Sequence, residues 1–141
     1  MTAHAREALT GGRPWSPRYT FVPAIRTGNL VVISGTTATD DTGRIAAPGD
    51  IVEQTRQIFR KFERLLQSVG GSCDDIVETT DYITTTENYA KTADVRREFF
   101  KRAFPVATGV IVAGLLREGA VIEISAMAVL DGDDGAPVRG N

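Results

Sequence analysis

The chain has 141 residues, 42% of them hydrophobic and 24% charged, with a formal net charge of −2. That size and balance fit one globular domain with a single core and exclude a disordered chain. Sixteen Lys and Arg are scattered among eighteen Asp and Glu without a basic stripe, which argues against a nucleic-acid partner. No stretch is long and apolar enough to cross a membrane, and Met1 to Thr10 hold no apolar run of signal-peptide length, so the expected location is the cytoplasm.

Residues 1–18 are polar, carry Gly11-Gly12, Pro14 and Pro17, and read as an N-terminal arm. A strand pair is expected at Tyr19–Arg26 and Asn29–Ser34, turned at Thr27-Gly28-Asn29, where Gly and Asn accept positive φ. A loop from Thr39 to Gly49 follows, with a short strand near Arg44–Ala47. Asp50 is placed to cap a helix. From Ile51 to Val69 the residues Val52, Ile58, Phe59, Phe62, Leu65, Leu66 and Val69 recur at helical spacing, and Gly70-Gly71 ends the run. Arg56, Arg60, Lys61, Glu63 and Arg64 read as its solvated face.

Ile76–Thr84 is rich in β-branched residues and predicts a strand. A second helix is expected from Thr86 or Asn88 to Arg102, with Pro105 beyond its end. Strands at Thr108–Gly114 and Ala120–Leu130 close the domain, which runs over residues 19–130; residues 131–141 have no apolar period and read as a flexible tail. The order β-β-(β)-α-β-α-β-β predicts an α+β layer, with strands packed against two helices.

Alternation on the last strand puts Ile122, Ile124, Ala126 and Ala128 toward the helices. The opposite row holds Val121, Glu123, Ser125, Met127 and Val129. A glutamate in that row fits a polar pocket at an oligomer interface or an ordinary solvated sheet face, and alternation does not choose. Metal spacings, a GxSxG elbow, a P-loop and GxGxxG are absent, so no metal or cofactor is expected. The one cysteine, Cys73, has no partner for a disulfide and reads as a free thiol beside a loop. Ser34-Gly35-Thr36-Thr37 offers hydrogen-bond donors for an anion, or is a plain strand-to-turn junction.

Five segments in this order resemble the RidA family of reactive-intermediate deaminases, also called YjgF-like proteins. They are Thr27-Gly28-Asn29-Leu30-Val31-Val32-Ile33-Ser34-Gly35, Gln54-Thr55-Arg56-Gln57-Ile58-Phe59, Asp75-Ile76-Val77-Glu78-Thr79-Thr80-Asp81-Tyr82-Ile83, Phe99-Phe100 with Phe104-Pro105, and Val121-Ile122-Glu123-Ile124-Ser125-Ala126-Met127-Ala128-Val129. The resemblance implies a chorismate-mutase-like β-β-α-β-α-β-β fold and a homotrimer. Helices would lie outside a central barrel, with active sites in the clefts between subunits.

It also implies hydrolysis of enamines or imines of small metabolites, with Glu123 as the catalytic general acid/base. Phe21 stands where the family often has tyrosine, and Ser34 matches the family serine. Substrate contacts are implied at the backbone of Ala107, Thr108 and Gly109. The family holds its substrate carboxylate with an arginine two residues after the proline, and that position is Ala107 here. Gly109 replaces the family cysteine, and Ala93 stands where an asparagine is frequent. A neutral side chain does not replace a bidentate guanidinium. The ordinary small 2-imino acid is therefore a poor fit, unless another cation such as Arg18, Arg26 or Arg117 reaches the site. The alternative is a non-catalytic member that binds a small molecule in the same cleft; nuclease activity is the weakest reading, given the acidic balance.

Overall fold

The structure, a computed structural model, describes residues 5–130; the expected flexible tail lies outside the described residues. The chain forms β1 (Arg6–Leu9), β2 (Ala24–Thr27), β3 (Leu30–Thr36), α1 (Ile51–Gln67), β4 (Ile76–Ile83), α2 (Thr92–Phe99), β5 (Val106–Ile111) and β6 (Ile122–Val129). The six strands make one sheet in the order β1-β2-β3-β6-β4-β5. Every pairing is antiparallel except β4 with β5, which are parallel and joined through α2. This is the α+β architecture expected, with one unexpected strand at its start and the short strand before α1 reduced to a bridge.

The unexpected strand is β1, inside the expected arm. Its residues Arg6, Glu7 and Ala8 are exposed and only Leu9 is buried, so no alternation marks it; backbone pairing with β2 holds it. The expected strand over Tyr19–Arg26 begins instead at Ala24. The carbonyls before it are taken by side chains: Trp15 Nε1 donates to Phe21 O at 2.8 Å and Ser34 Oγ to Val22 O at 2.6 Å. Pro23 has no amide to offer a ladder. The strand expected near Arg44–Ala47 is a single bridge between Thr39 and Ile45.

Helix α1 starts where Asp50 predicts: its Oδ1 accepts from Glu53 N at 3.1 Å. Its inner face buries Ile58, Phe59, Phe62, Leu65 and Leu66 against Ile122, Ile124, Ala126 and Ala128 of β6, the alternate row the sequence assigns to the helices. The rings of Phe62, Phe99 and Phe100 surround Phe59 with centroids 5.2–6.0 Å away. Each such buried aromatic stabilises the core by roughly 1.5–3 kcal/mol. Gln54, fully buried, donates to Ala47 O and Gly119 O and accepts from Val121 N at 3.0 Å, which fixes the entry of β6 against α1.

The second helix is shorter than expected. Asn88 takes φ 60, a 3-10 turn covers Tyr89–Lys91, and α2 ends at Phe99. Beyond it, Asp74 Oδ1 accepts from Lys101 N at 2.8 Å and Arg102 N at 3.0 Å, so those amides are satisfied without a helix. Strand β5 then begins two residues earlier than expected, and Ala107, Thr108 and Gly109 lie within it.

Under α2 runs a buried polar network. Arg96 Nη2 contacts Asp81 Oδ1 at 2.9 Å and Oδ2 at 3.0 Å, and Tyr89 OH donates to Asp81 Oδ2 at 2.7 Å. Asp81 is 2% exposed. Burial first, and then the Asp81 carboxylate, push the Tyr89 phenol up to about 12. Cys73 is fully buried in a 3-10 turn, its Sγ facing Phe59 O at 3.6 Å, and burial pushes its thiol far up.

Candidate functional site

On the side of the sheet away from the helices, Glu123 sits on β6 opposite Tyr82 of β4. Its other neighbour is β3, whose register slips between Ile33, opposite Ala126, and Thr36, opposite Ile124. One extra residue is thus accommodated at Ser34-Gly35, as in a β-bulge. The bulge lets Gly35 lie against the carboxylate: a methyl group there would be 2.5 Å from Glu123 Oε2. Glu123 is half-buried, and among the described residues no side chain or amide donates a hydrogen bond to its carboxylate.

Glu123 lines a cleft of about 730 Å³ that also takes in Phe21 and Ser34. Three residues implied for the site are therefore brought together within one chain. Ser34 lies near the carboxylate, but its hydroxyl proton is committed to Val22 O, so it faces the cleft as an acceptor. Ala107, Thr108 and Gly109 are not brought there: β4 separates β5 from β6, and all three residues are exposed on β5. On its helix side Gly109 has no room for a larger residue, because a Cβ would lie 2.9 Å from Tyr89 OH.

Of the three cations considered as substitutes for the missing arginine, Arg117 lines the cleft. Arg26 Nε is bonded to Gly28 O at 3.0 Å in the β2–β3 turn, and Arg18 is exposed elsewhere. Arg13, Lys61 and Arg64 join Arg117 in the lining. Lys61 corrects the expected solvated face of α1: its Nζ donates to Thr36 Oγ1 at 2.8 Å, Thr37 O at 2.9 Å and Thr39 Oγ1 at 2.8 Å. Its spacing of three from Ile58 and four from Leu65 sets it on the flank of the apolar stripe, a signal visible in the sequence. Burial, and then the charges of Arg13, Arg117 and Arg64, push its ammonium down to about 8, against the pull of Asp41.

The opposite wall is aromatic. Trp15, Tyr19 and Phe21 form a cluster with centroids 4.7, 5.4 and 5.3 Å apart. Phe21 is 53% exposed, so the cluster faces the cleft and does not complete the core. Trp15 and Tyr19 went unassigned because they lie in or beside the arm, where no periodicity marks a buried face. Among the described residues no cluster of His, Cys, Asp and Glu is arranged to hold a metal, and no helix is long and apolar enough to cross a membrane.

These features define a class: small α+β proteins with two helices on one face of a sheet and a carboxylate-bearing cleft on the other. The chain belongs to the Endoribonuclease L-PSP family, whose model matches residues 12–130. It is 30% identical over 125 residues to a RutC family protein of Pyrococcus abyssi, covering 88% of this chain and 97% of that protein. A RutC family protein of Pyrococcus horikoshii is 35% identical over 109 residues, covering 77% and 85%. The crystal structure of the Rid family protein YyfA from Yersinia pestis superposes with a TM-score of 0.78 at 30% identity, over 89% of this chain and 99% of that one. The resemblance to RidA/YjgF proteins read from the sequence is thereby shown.

Proposed function

We propose that the chain is a hydrolase of small enamines, imines or related metabolites, with Glu123 as general acid/base. The observation that carries this reading is the Glu123 carboxylate itself: half-buried in a cleft, unpaired among the described residues, and set against a glycine that leaves it room. In the step proposed, the carboxylate takes a proton from water as the water oxygen attacks the C=N carbon. The carboxyl then gives that proton to the nitrogen. The Glu123 carboxylate then takes the hydroxyl proton of the carbinolamine and passes it to the amino nitrogen as the C–N bond breaks, so that ammonia leaves and the carbonyl remains.

The cleft is proposed to be completed by a second copy in a trimer. Val32, Met127, Val106 and Val110 are exposed on the same outer sheet face as Glu123, an apolar face that a partner copy would cover. A neighbour's Ala107, Thr108 and Gly109 would then approach from across the interface. Without a guanidinium at Ala107, small 2-imino acids are expected to be poor substrates, by at least about tenfold relative to an arginine-bearing relative.

A binding protein without catalysis is the second reading, supported by Ala107 and by the commitment of the Ser34 hydroxyl to Val22 O. The two separate on Glu123→Gln, which keeps shape and removes the titrating group. Ammonia release from a panel of freshly generated imines is expected in the native protein and abolished in the variant, with ligand affinity kept. No ammonia from any imine with the native protein would leave the binding reading.

A further inference from the structure

We infer that the Glu123 cleft takes a planar, aromatic or unsaturated molecule that carries an anionic group, its flat part against Trp15, Tyr19 and Phe21 and its anion beside Lys61, Arg64 and Arg117. This rests on the reading of that cleft as the substrate site and names its substrate class. The anion would be held from the α1 side and from the β5–β6 loop, by residues of the chain that also carries Glu123, and not from position 107.

Charge bookkeeping in the cleft favours an anion. Four cations line it, Arg13, Lys61, Arg64 and Arg117, against three carboxylates, Asp40, Asp41 and Glu123, an excess of one positive charge. Arg13 is paired with Asp41 at 2.9 Å. Asp40, which also lines the cleft, has its Oδ1 occupied by Thr42 N, Thr42 Oγ1 and Arg44 N. Lys61 has all three of its N–H donors committed to neutral oxygens, so it contributes positive charge to the cleft and no further hydrogen bond. Among the described residues neither Arg64 nor Arg117 has a carboxylate within 4.0 Å. Lys61 and the exposed Arg64 and Arg117 thus line the cleft with no carboxylate in contact among the described residues. Burial first, and then the charges of Arg13, Arg117 and Arg64, lower the charge preference of Lys61.

The other half of the argument is apolar. Three rings packed edge to face and tilted, yet open to the cleft, form a platform for a flat group. Trp15 Nε1 is bonded to Phe21 O at 2.8 Å, which locks the platform's geometry. Glu123 lies in the same cleft as the rings and the cations.

Trp15 is the only tryptophan of the chain, so its fluorescence reports on the aromatic wall; that wall also borders a pocket lined by Arg6, Ile25 and Val32, and the response of the double variant below assigns the signal to the cationic cleft. Its fluorescence quenching would be titrated with 3-phenylpropanoate, 3-phenylpropanamide and propanoate. The expected result is that 3-phenylpropanoate binds about tenfold or more tighter than either the amide or propanoate, the margin one charge-assisted contact provides. In the double variant Arg64→Gln/Arg117→Gln the preference for the acid over the amide is expected to fall severalfold, with amide affinity unchanged. Equal affinities for acid and amide, equal affinities for the two acids, a preference unmoved in the double variant, or no quenching by any of the three would each overturn the inference. Ammonia release is read separately, so a cleft with the wrong ligand class and a cleft without catalysis give different results.

Discussion

The Cα of Gly35 faces the carboxylate of Glu123 so closely that a methyl group on it would stand 2.5 Å from Oε2. Gly35 lies at the β3 bulge and Glu123 on β6, and the contact is with the free end of a flexible side chain. Gly35→Ala is therefore expected to turn the carboxylate aside and not to unfold the chain. Thermal unfolding should shift by only a few degrees, about the effect of less than 1 kcal/mol. Ammonia release should fall as far as in Glu123→Gln. A variant with native turnover would show that the carboxylate's position is unimportant.

The proposed trimer makes a direct demand on the outer sheet face. Val106 is 69% exposed in the single chain, and Met127 and Val32 stand exposed opposite one another on β6 and β3. Light scattering at micromolar concentration is expected to give three times the mass of one chain. Met127→Lys, which puts a charge into that apolar face, is expected to give monomers. A native monomer would remove the shared-cleft arrangement.

Lys61 predicts a pH dependence. Its folded value is about 8, against an ordinary 10.5, so between those values the unfolded chain binds the additional proton. Unfolding free energy attributable to Lys61 then rises with pH across that window, and the cost of its charge is fully present below about pH 8. Burial is the main cause, Arg13, Arg117 and Arg64 depress the value further and Asp41 opposes them, while Asp40 and Glu123 share the cleft. The stability difference between native protein and Lys61→Met, measured by urea unfolding from pH 7 to 10, should move in the native protein's favour as pH rises; a flat or opposite trend counts against a buried ammonium.

Asp81 and Arg96 form a buried pair that ties β4 to α2, with Tyr89 and Thr79 completing its hydrogen bonds. Asp81→Ala leaves the guanidinium without its carboxylate and is expected to cost about 3–5 kcal/mol. Tyr89→Phe removes only one hydrogen bond and should cost about 1 kcal/mol. Chemical denaturation measures both, and equal losses would contradict the assignment of the carboxylate as the centre of the network.

The fold was legible where apolar period and capping agree. Asp50, the Ile58–Leu66 stripe and the Ile122–Ala128 alternation place α1 and β6 correctly because burial of one face sets each period. Strand β1 was not legible, since Arg6, Glu7 and Ala8 are exposed and the strand is held by backbone bonds that no side chain announces. The boundary errors at Tyr19–Pro23 and after Phe99 have one cause: side chains distant in sequence, Ser34 and Asp74, satisfy backbone groups that a ladder or helix would otherwise use. Of the candidate site, alternation put Glu123 on the outer face, and the resemblance supplied Phe21 and Ser34. The cationic wall was hidden because Lys61 sits among helix charges that look solvated until the loop over Thr36–Thr39 folds against it, while Arg64 stays exposed as expected.

The deep seat of Cys73 has a practical consequence. With no surface exposure and a thiol held protonated by its surroundings, it is closed to alkylating reagents in the folded chain. It is also the only thiol present. Every modified molecule must first have opened the packing between α1 and the turn before β4, so the rate of labelling times the excursions of that seam. The protein carries its own clock for local opening, at a distance from the cleft and with no added probe.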